Sequence, residues 1–332
     1  FVTLAREFTQ GRTLPDIVKS GDAREEILQA RWPFGSSPLY LHQERALATG
    51  RAGRSFIVTT GTGSGKTEAF LLPVIDGILE RRSRGVTGVQ AIVLYPMNAL
   101  ANDQLERLRR LFKGGRPEIS FGLYTGESES SSQNLSEPAG ENERVSRDAI
   151  RRNPPDILLT NYKQLEFLLI RREDRGLFTS SLRYLVLDEL HSYRGALATE
   201  IACLIRRLKA HARIESGGLV SVGTSATVAS GPDGPRDLAG FASTLFGEEF
   251  DAGDIISEEY APRPTETPEW TPPEPSIDDA RLVSIDPGKD SEIADLVKAL
   301  TGRNIPSDGS VAVRVGAALQ GNRIVQEIEE VF

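Results

Sequence analysis

The sequence predicts an α/β fold, a doubly wound parallel sheet flanked by helices, on three observations. Short β-branched apolar runs recur between residue 55 and about residue 250, helix-capable stretches separate them, and a glycine-rich loop joins the first run to the helix after it. The strand candidates are residues 55–60, 90–95, 118–124, 156–160, 183–188 and 218–224, and the segments between them are able to supply crossover helices.

The rest of the chain is organised around that lobe, which we place at residues 51–250. Residues 1–50 read as a mainly helical N-terminal extension, with Trp32, Phe34 and Pro38 in a loop before the LYLHQERAL segment. Between Gly126 and Glu143 the run GESESSSQNLSEPAGENE has no apolar period, so a flexible excursion is expected there. Residues 251–289 read as a linker, because Pro262, Pro264, Pro268, Pro272, Pro273 and Pro275 exclude helix and sheet interior. Helical periodicity returns over residues 290–332, which we read as the truncated start of a helical domain.

Composition narrows the function classes. With 39% hydrophobic and 26% charged residues the 332-residue chain has the make-up of a soluble globular protein. It shows no long apolar run and no signal-peptide order at FVTLAREFTQ, so a cytoplasmic protein is expected. The single Cys203, in the apolar stripe of TEIACLIRRL, reads as a core residue, and no Cys/His spacing suggests a zinc site. A net charge of -8 weighs against nonspecific phosphate binding, although basic runs occur at Arg81, Arg82 and Arg84, from Arg144 to Arg152, at Arg171 and Arg172, and at Arg206, Arg207 and Lys209. Each run taken singly is more simply a solvated helix face.

The strongest chemical signal is Thr60-Gly61-Thr62-Gly63-Ser64-Gly65-Lys66-Thr67, which follows the strand-like SFIVT and opens the helix-capable EAFLLPVIDGIL. Glycines let backbone N–H groups turn around phosphate oxygens, and the helix N-terminus adds positive potential. Lys66 would reach the β- and γ-phosphates of ATP, and Thr67 would offer its hydroxyl to Mg²⁺. Thr60 stands where the strict pattern has glycine. Downstream, Leu185-Val186-Leu187-Asp188-Glu189-Leu190-His191 sets two adjacent carboxylates at the end of an apolar strand. Alone, such a pair reads as a solvated turn. Beside a phosphate loop it reads as Asp188 holding Mg²⁺ through water and Glu189 orienting and deprotonating the attacking water.

GTGSGKT, DELH and Ser225-Ala226-Thr227 resemble motifs I, II and III of superfamily 2 DExH helicases in order and spacing. Between them, the segment from Tyr95 to Gln104 is similar to motif Ia, and Tyr124-Thr125-Gly126 and Leu159-Thr160-Asn161 are similar to the later strand-contacting motifs. LYLHQ, YPMNALANDQ, RNPPDILLTNY and DELHSYRG further resemble the MrfA/YprA-like (RecQ-four-like) helicases and related large prokaryotic anti-phage defence helicases, over residues 38–250.

That resemblance implies a RecA-like first lobe, an ATP-dependent helicase activity, DNA as the favoured nucleic acid and 3′-to-5′ movement. It implies that Gln43 reads the adenine edge, for which one amide supplies donor and acceptor. It also implies that Ser225 and Thr227 couple hydrolysis to movement and that Pro96, Asn98, Thr125, Gly126, Thr160 and Asn161 meet one nucleic-acid strand. His191 either links the nucleotide site to a second lobe or caps a strand end, and Tyr193-Arg194-Gly195 either share the family pattern or form a tight turn.

No Gln-x-x-Gly-Arg-x-x-Arg segment follows Ser225, and Gln320-Gly321-Asn322-Arg323 does not fit one. The expectation is the front part of a longer protein that binds ATP but hydrolyses it slowly alone, since an arginine finger is worth about 10³ to 10⁵ in rate in related NTPases. A C-terminal helicase lobe, nucleic acid and further complex subunits are the expected partners. The competing reading is an ATP-gated nucleic-acid clamp or recruitment module that does not unwind. A restriction-type translocase is weaker, as the chain shows no nuclease signature.

Overall fold

A computed structural model describes residues 7–61, 63–126, 137–226, 233–261, 289–304 and 311–319. The chain forms two compact units, one spanning Phe8–Glu259 and the other comprising Phe1–Glu7 with Tyr260–Phe332.

The larger unit is built on strands β3 (Phe56–Thr59), β4 (Ala91–Tyr95), β5 (Phe121–Tyr124), β6 (Ile157–Asn161), β7 (Tyr184–Leu187), β8 (Val220–Ser225) and β9 (Ile255–Ser257). All neighbours pair in parallel, in the order β5-β6-β4-β7-β8-β3-β9. The central runs β3, β4 and β7 are apolar almost throughout because helices cover both faces, whereas β8 (VSVGTS) is buried with small and polar residues. Phe56, Val58, Val93, Tyr95 and Val186 pack on one side with Phe70, Val74 and Ile78 of helix Lys66–Ser83 and Leu105 and Leu108 of helix Asn98–Leu111. Ile57, Ile92, Leu94, Leu185 and Leu187 pack on the other with helices Tyr162–Ile170, Ala196–Ala212 and Gly234–Phe246. Each fully buried Leu, Ile or Phe contributes about 1.5–3 kcal/mol of transfer free energy, so the doubly covered sheet dominates the unit's stability. Helix Lys66–Ser83 lies so close to β7 that a Cβ on Gly77 would come within 1.8 Å of the Tyr184 hydroxyl, which is why glycine is accommodated in mid-helix.

Two elements differ from the sequence reading. The seventh strand, β9, falls at the front of the stretch read as linker, before its first proline and only three residues long, too short to show a period. Residues 1–50 contain helices Leu14–Lys19 and Leu41–Arg51 but also an antiparallel ribbon of β1 (Gln10–Thr13) and β2 (Pro38–Tyr40). Much of the Ser/Glu-rich run, from residue 127 to 136, and most of the proline-rich stretch lie outside the described residues.

The smaller unit contains helices Asp290–Thr301 and Val311–Leu319, which share a small apolar cluster of Val297, Val315 and Ala318. No described helix is long and apolar enough to cross a membrane.

Candidate nucleotide and nucleic-acid site

In a parallel sheet every strand delivers its carboxyl end to the same edge, where such folds place their ligands. Here β3, β8, β7 and β9 bring the phosphate loop, Ser225, Asp188 and Glu258 to one half of that edge, and β4, β6 and β5 bring Pro96, Asn161 and Thr125 to the other.

The phosphate loop turns on Gly63 and Gly65, with φ of 81° and 75°, a left-handed conformation that glycine adopts without a Cβ penalty. Gly65 is the residue before helix Lys66–Ser83. Ser64 braces the turn, its hydroxyl donating to Thr60 Oγ1 at 2.6 Å and to the Gly61 carbonyl at 2.8 Å. Thr62 lies outside the described residues, and Thr67 is the second residue of the helix.

Lys66 Nζ is buried and has no hydrogen-bond partner among the described residues. An ammonium left that way costs several kcal/mol unless an anion meets it, so the loop has the donor set and the unpaired cation that a polyphosphate requires.

Helix Leu41–Arg51 grips the loop from outside. His42 Nε2–H donates to the Ser64 carbonyl at 2.9 Å, and Gln43 Nε2–H donates to the Gly65 carbonyl at 3.1 Å while its Oε1 accepts the Tyr40 N–H at 3.0 Å. Both ends of the Gln43 amide thus engage backbone, and the side chain is buried. Burial holds the His42 imidazole below its ordinary value of 6.5, against the opposing effects of the Ser64 carbonyl and Glu258.

Asp188 and Glu189 follow β7 directly. The Asp188 carboxylate, chiefly through burial, ionises above its ordinary 3.8, with the Thr224 hydroxyl acting the other way. Asp188 Oδ1 accepts from Thr224 Oγ1 and from the Glu189 N–H at 3.1 Å, and Glu189 N–H also reaches Thr224 Oγ1 at 3.2 Å. Both bonds to the Asp188 carboxylate fall on Oδ1. Glu189 has φ 56° and ψ 55°, one of two described non-glycine residues at positive φ, a conformation costing of order 1–3 kcal/mol and concentrated at functional sites. His191 Nδ1 lies 3.3 Å from Glu189 Oε2, with both side chains partly exposed. Ser225 adjoins the loop, its carbonyl accepting the Thr60 N–H at 3.3 Å, whereas Thr227 lies outside the described residues.

On the other half of the edge, Asn161 Nδ2–H donates to Asn98 Oδ1 at 2.6 Å, joining the loop after β4 to that after β6, and its own Oδ1 caps helix Tyr162–Ile170 at the Gln164 N–H. Pro96 and Asn98 are half-buried, and Gly126 and Met97 are exposed, Met97 at 63%. Thr125 and Thr160 are buried. The Thr160 hydroxyl donates to the Tyr124 carbonyl at 2.6 Å, so it ties β6 to β5. Arg147 donates to the carbonyls of Thr125 at 2.9 Å and Gly126 at 2.6 Å, which brings one residue of the Arg144–Arg152 run to this rim. Arg81, Arg82 and Arg84 are instead engaged by Gln90, Asp156 and Glu80, and Arg207 and Lys209 by Glu166 and Glu248. Cys203 is exposed, not in the core: on helix Ala196–Ala212 the inward stripe runs through Ile201, Leu204, Ile205 and Leu208, and position 203 falls between its turns.

The sequence names His42 only as part of LYLHQ and Arg147 only as part of the Arg144–Arg152 run, and gives Thr224 and Glu258 no role. Their partners are distant in sequence, so local spacing carries no sign of these contacts.

Residues 40–233 match the DEAD/DEAH box helicase family. The chain is 31% identical over 308 residues to Druantia protein DruE of Escherichia coli (strain UMEA 4076-1), covering 62% of this chain and 17% of that protein. It is 31% identical over 216 residues to the uncharacterized ATP-dependent helicase YprA of Bacillus subtilis (strain 168), covering 64% and 26%. The crystal structure of the DUF1998 helicase MrfA bound to DNA superposes with a TM-score of 0.58 at 26% identity, over 88% of this chain and 36% of that one. The chain thus spans 17% to 36% of the length of these proteins. With its seven-stranded RecA-like sheet and its match over the motif-bearing residues, the chain belongs to the DEAD/DEAH box helicase family and is of the MrfA/YprA-like type.

Proposed function

We propose that this chain is the ATP-binding lobe of an ATP-dependent motor that unwinds or moves along nucleic acid, with DNA as substrate and 3′-to-5′ as direction. The observation that carries the nucleotide half of this reading is the buried Lys66 ammonium, without a hydrogen-bond partner among the described residues, at the end of a loop that turns on left-handed glycines. In this reading Lys66 binds the β- and γ-phosphates. The Thr67 hydroxyl, and Asp188 through water, would hold Mg²⁺, which would neutralise phosphate charge. Glu189, at the positive-φ corner after β7, orients the attacking water and accepts its proton. Gln43 fixes the loop through Gly65 and offers its remaining amide hydrogen and lone pair to adenine. His191, beside Glu189, passes the state of the site to a second lobe, with Ser225 and Thr227 sharing that work.

Pro96, Asn98, Gly126 and Asn161 form the strand-binding rim, with Thr125 and Thr160 shaping it from beneath. DNA is supported by the likeness to MrfA, whose crystal structure is with DNA, and direction by the family resemblance. The family resemblance supports a place in anti-phage defence, with genome maintenance the other role it offers. Anisotropy titrations of labelled single-stranded DNA and of RNA of the same sequence, at one fixed salt concentration and with MgAMPPNP, test the substrate. DNA is expected to bind severalfold more tightly, and equal or tighter binding of RNA would overturn the DNA assignment.

A further inference from the structure

Three consecutive residues, the last of β9 and the two after it, are stitched around the phosphate loop. Ser257 Oγ lies 2.9 Å from Thr59 Oγ1 at the end of β3. Glu258 Oε2 accepts the Gly61 N–H at 2.7 Å. Glu259 pairs with Arg45, on the helix that carries His42 and Gln43, and its carbonyl accepts the Thr9 N–H at 2.7 Å. The loop is therefore held at its amino end through an N–H and at its carboxyl end through the carbonyls of Ser64 and Gly65. Its middle is open, since a Cβ on Gly63 would meet nothing within 4 Å.

A carboxylate is an expensive choice of acceptor here. Next to a site for a polyphosphate it adds like charge, and any neutral acceptor could take one backbone N–H without that repulsion. What a carboxylate adds is a shorter, roughly twofold stronger hydrogen bond than a neutral acceptor makes. Its place in the chain matters as well, because Glu258 directly follows the edge strand β9, so the bond joins the loop's entry to the edge of the sheet.

We propose that Glu258 is a positioning residue of the nucleotide site, whose carboxylate fixes the entry of the phosphate loop through Gly61. Glu258 acts through Gly61 and does not itself touch phosphate. The inference rests on the ATP-site reading above.

The test uses the full chain as wild type, E258Q and E258A, with two readouts: MgATP affinity by titration calorimetry, and the exchange rate of the Gly61 amide by NMR without nucleotide. Glutamine keeps a carbonyl acceptor for Gly61 and removes the charge; alanine removes both. In E258A the Gly61 amide is expected to exchange about tenfold faster and MgATP affinity to fall by about tenfold, the size of one charge-assisted hydrogen bond, while E258Q recovers most of both. If Glu258 served instead as an electrostatic barrier, E258A would bind MgATP more tightly than wild type, and that result overturns the proposal. An unchanged Gly61 exchange rate in E258A also overturns it, whatever the affinities. Failure of the wild-type chain to bind MgATP at all sinks the ATP-site reading itself, and the role assigned to Glu258 with it.

Discussion

Thr224 is buried at the end of β8 and holds Asp188 and the Glu189 backbone with one hydroxyl. Thr224→Val keeps the side-chain shape and removes both hydrogen bonds, leaving a buried carboxylate oxygen short of a donor. The expected cost is about 1–3 kcal/mol, read as a lower urea midpoint with unchanged slope. His42 makes a pH prediction. Its imidazole is held below 6.5 by burial, so as pH falls through 6.5 the unfolded chain takes up a proton that the folded chain resists. Stability contributed at neutral pH is therefore lost progressively below about 6.5, and His42→Gln should flatten that part of the stability curve in denaturation series across pH. A wild type and variant with parallel curves would show that His42 is not the group responsible.

Among the elements, packing and charge separate structural arginines from surface ones. Arg109, on helix Asn98–Leu111, meets Glu143 through two bonds of 2.7 and 2.8 Å with both side chains almost fully buried. Arg207 and Glu166 pair at 3.1 Å with about half of each side chain exposed. Removing one partner of a buried pair strands the other charge, so Glu143→Ala is expected to cost about 3–5 kcal/mol. Glu166→Ala should cost about 0–1 kcal/mol. Chemical denaturation of the two variants checks the contrast. Of the six strands legible in the sequence, most are buried on both faces and read as apolar runs, while β8 (VSVGTS) is buried but alternates Val with small or polar residues. The ribbon of β1 and β2 and the short edge strand β9 depend on partners far along the chain and leave no period to read. The same division holds at the site. Lys66, Asp188 and Glu189 sit in contiguous motifs whose spacing is itself the signal, whereas the Asn98–Asn161, Thr224–Asp188 and Glu258–Gly61 contacts join residues 36 to 197 positions apart.

Across the larger unit, one sheet edge carries the phosphate loop on one half and the Asn98–Asn161 rim on the other, and the β4–β7 ladder and further contacts join the halves. Asp188 N–H donates to the Leu94 carbonyl at 3.0 Å, linking β7 to the strand that leads into Pro96. Arg107 pairs with Glu68 at 3.1 Å, linking the helix that begins at Asn98 to the first turn of the phosphate-loop helix. If these links join two distinct functions, Asn161→Ala, which releases Asn98, should lower single-stranded DNA affinity about threefold to tenfold, a neutral hydrogen bond's worth, while MgATP affinity stays unchanged. An equal loss of both affinities would mean that Asn161 supports the sheet edge as a whole. The central claim is that the loop around Lys66 binds ATP, and calorimetric titration of MgATP into the full chain and into Lys66→Ala tests it most directly. The account predicts one site in the wild type and a loss of about 10- to 100-fold in affinity in the variant, the worth of a buried hydrogen bond from a charged donor; equal affinity in the two, or no binding by the wild type, would contradict it.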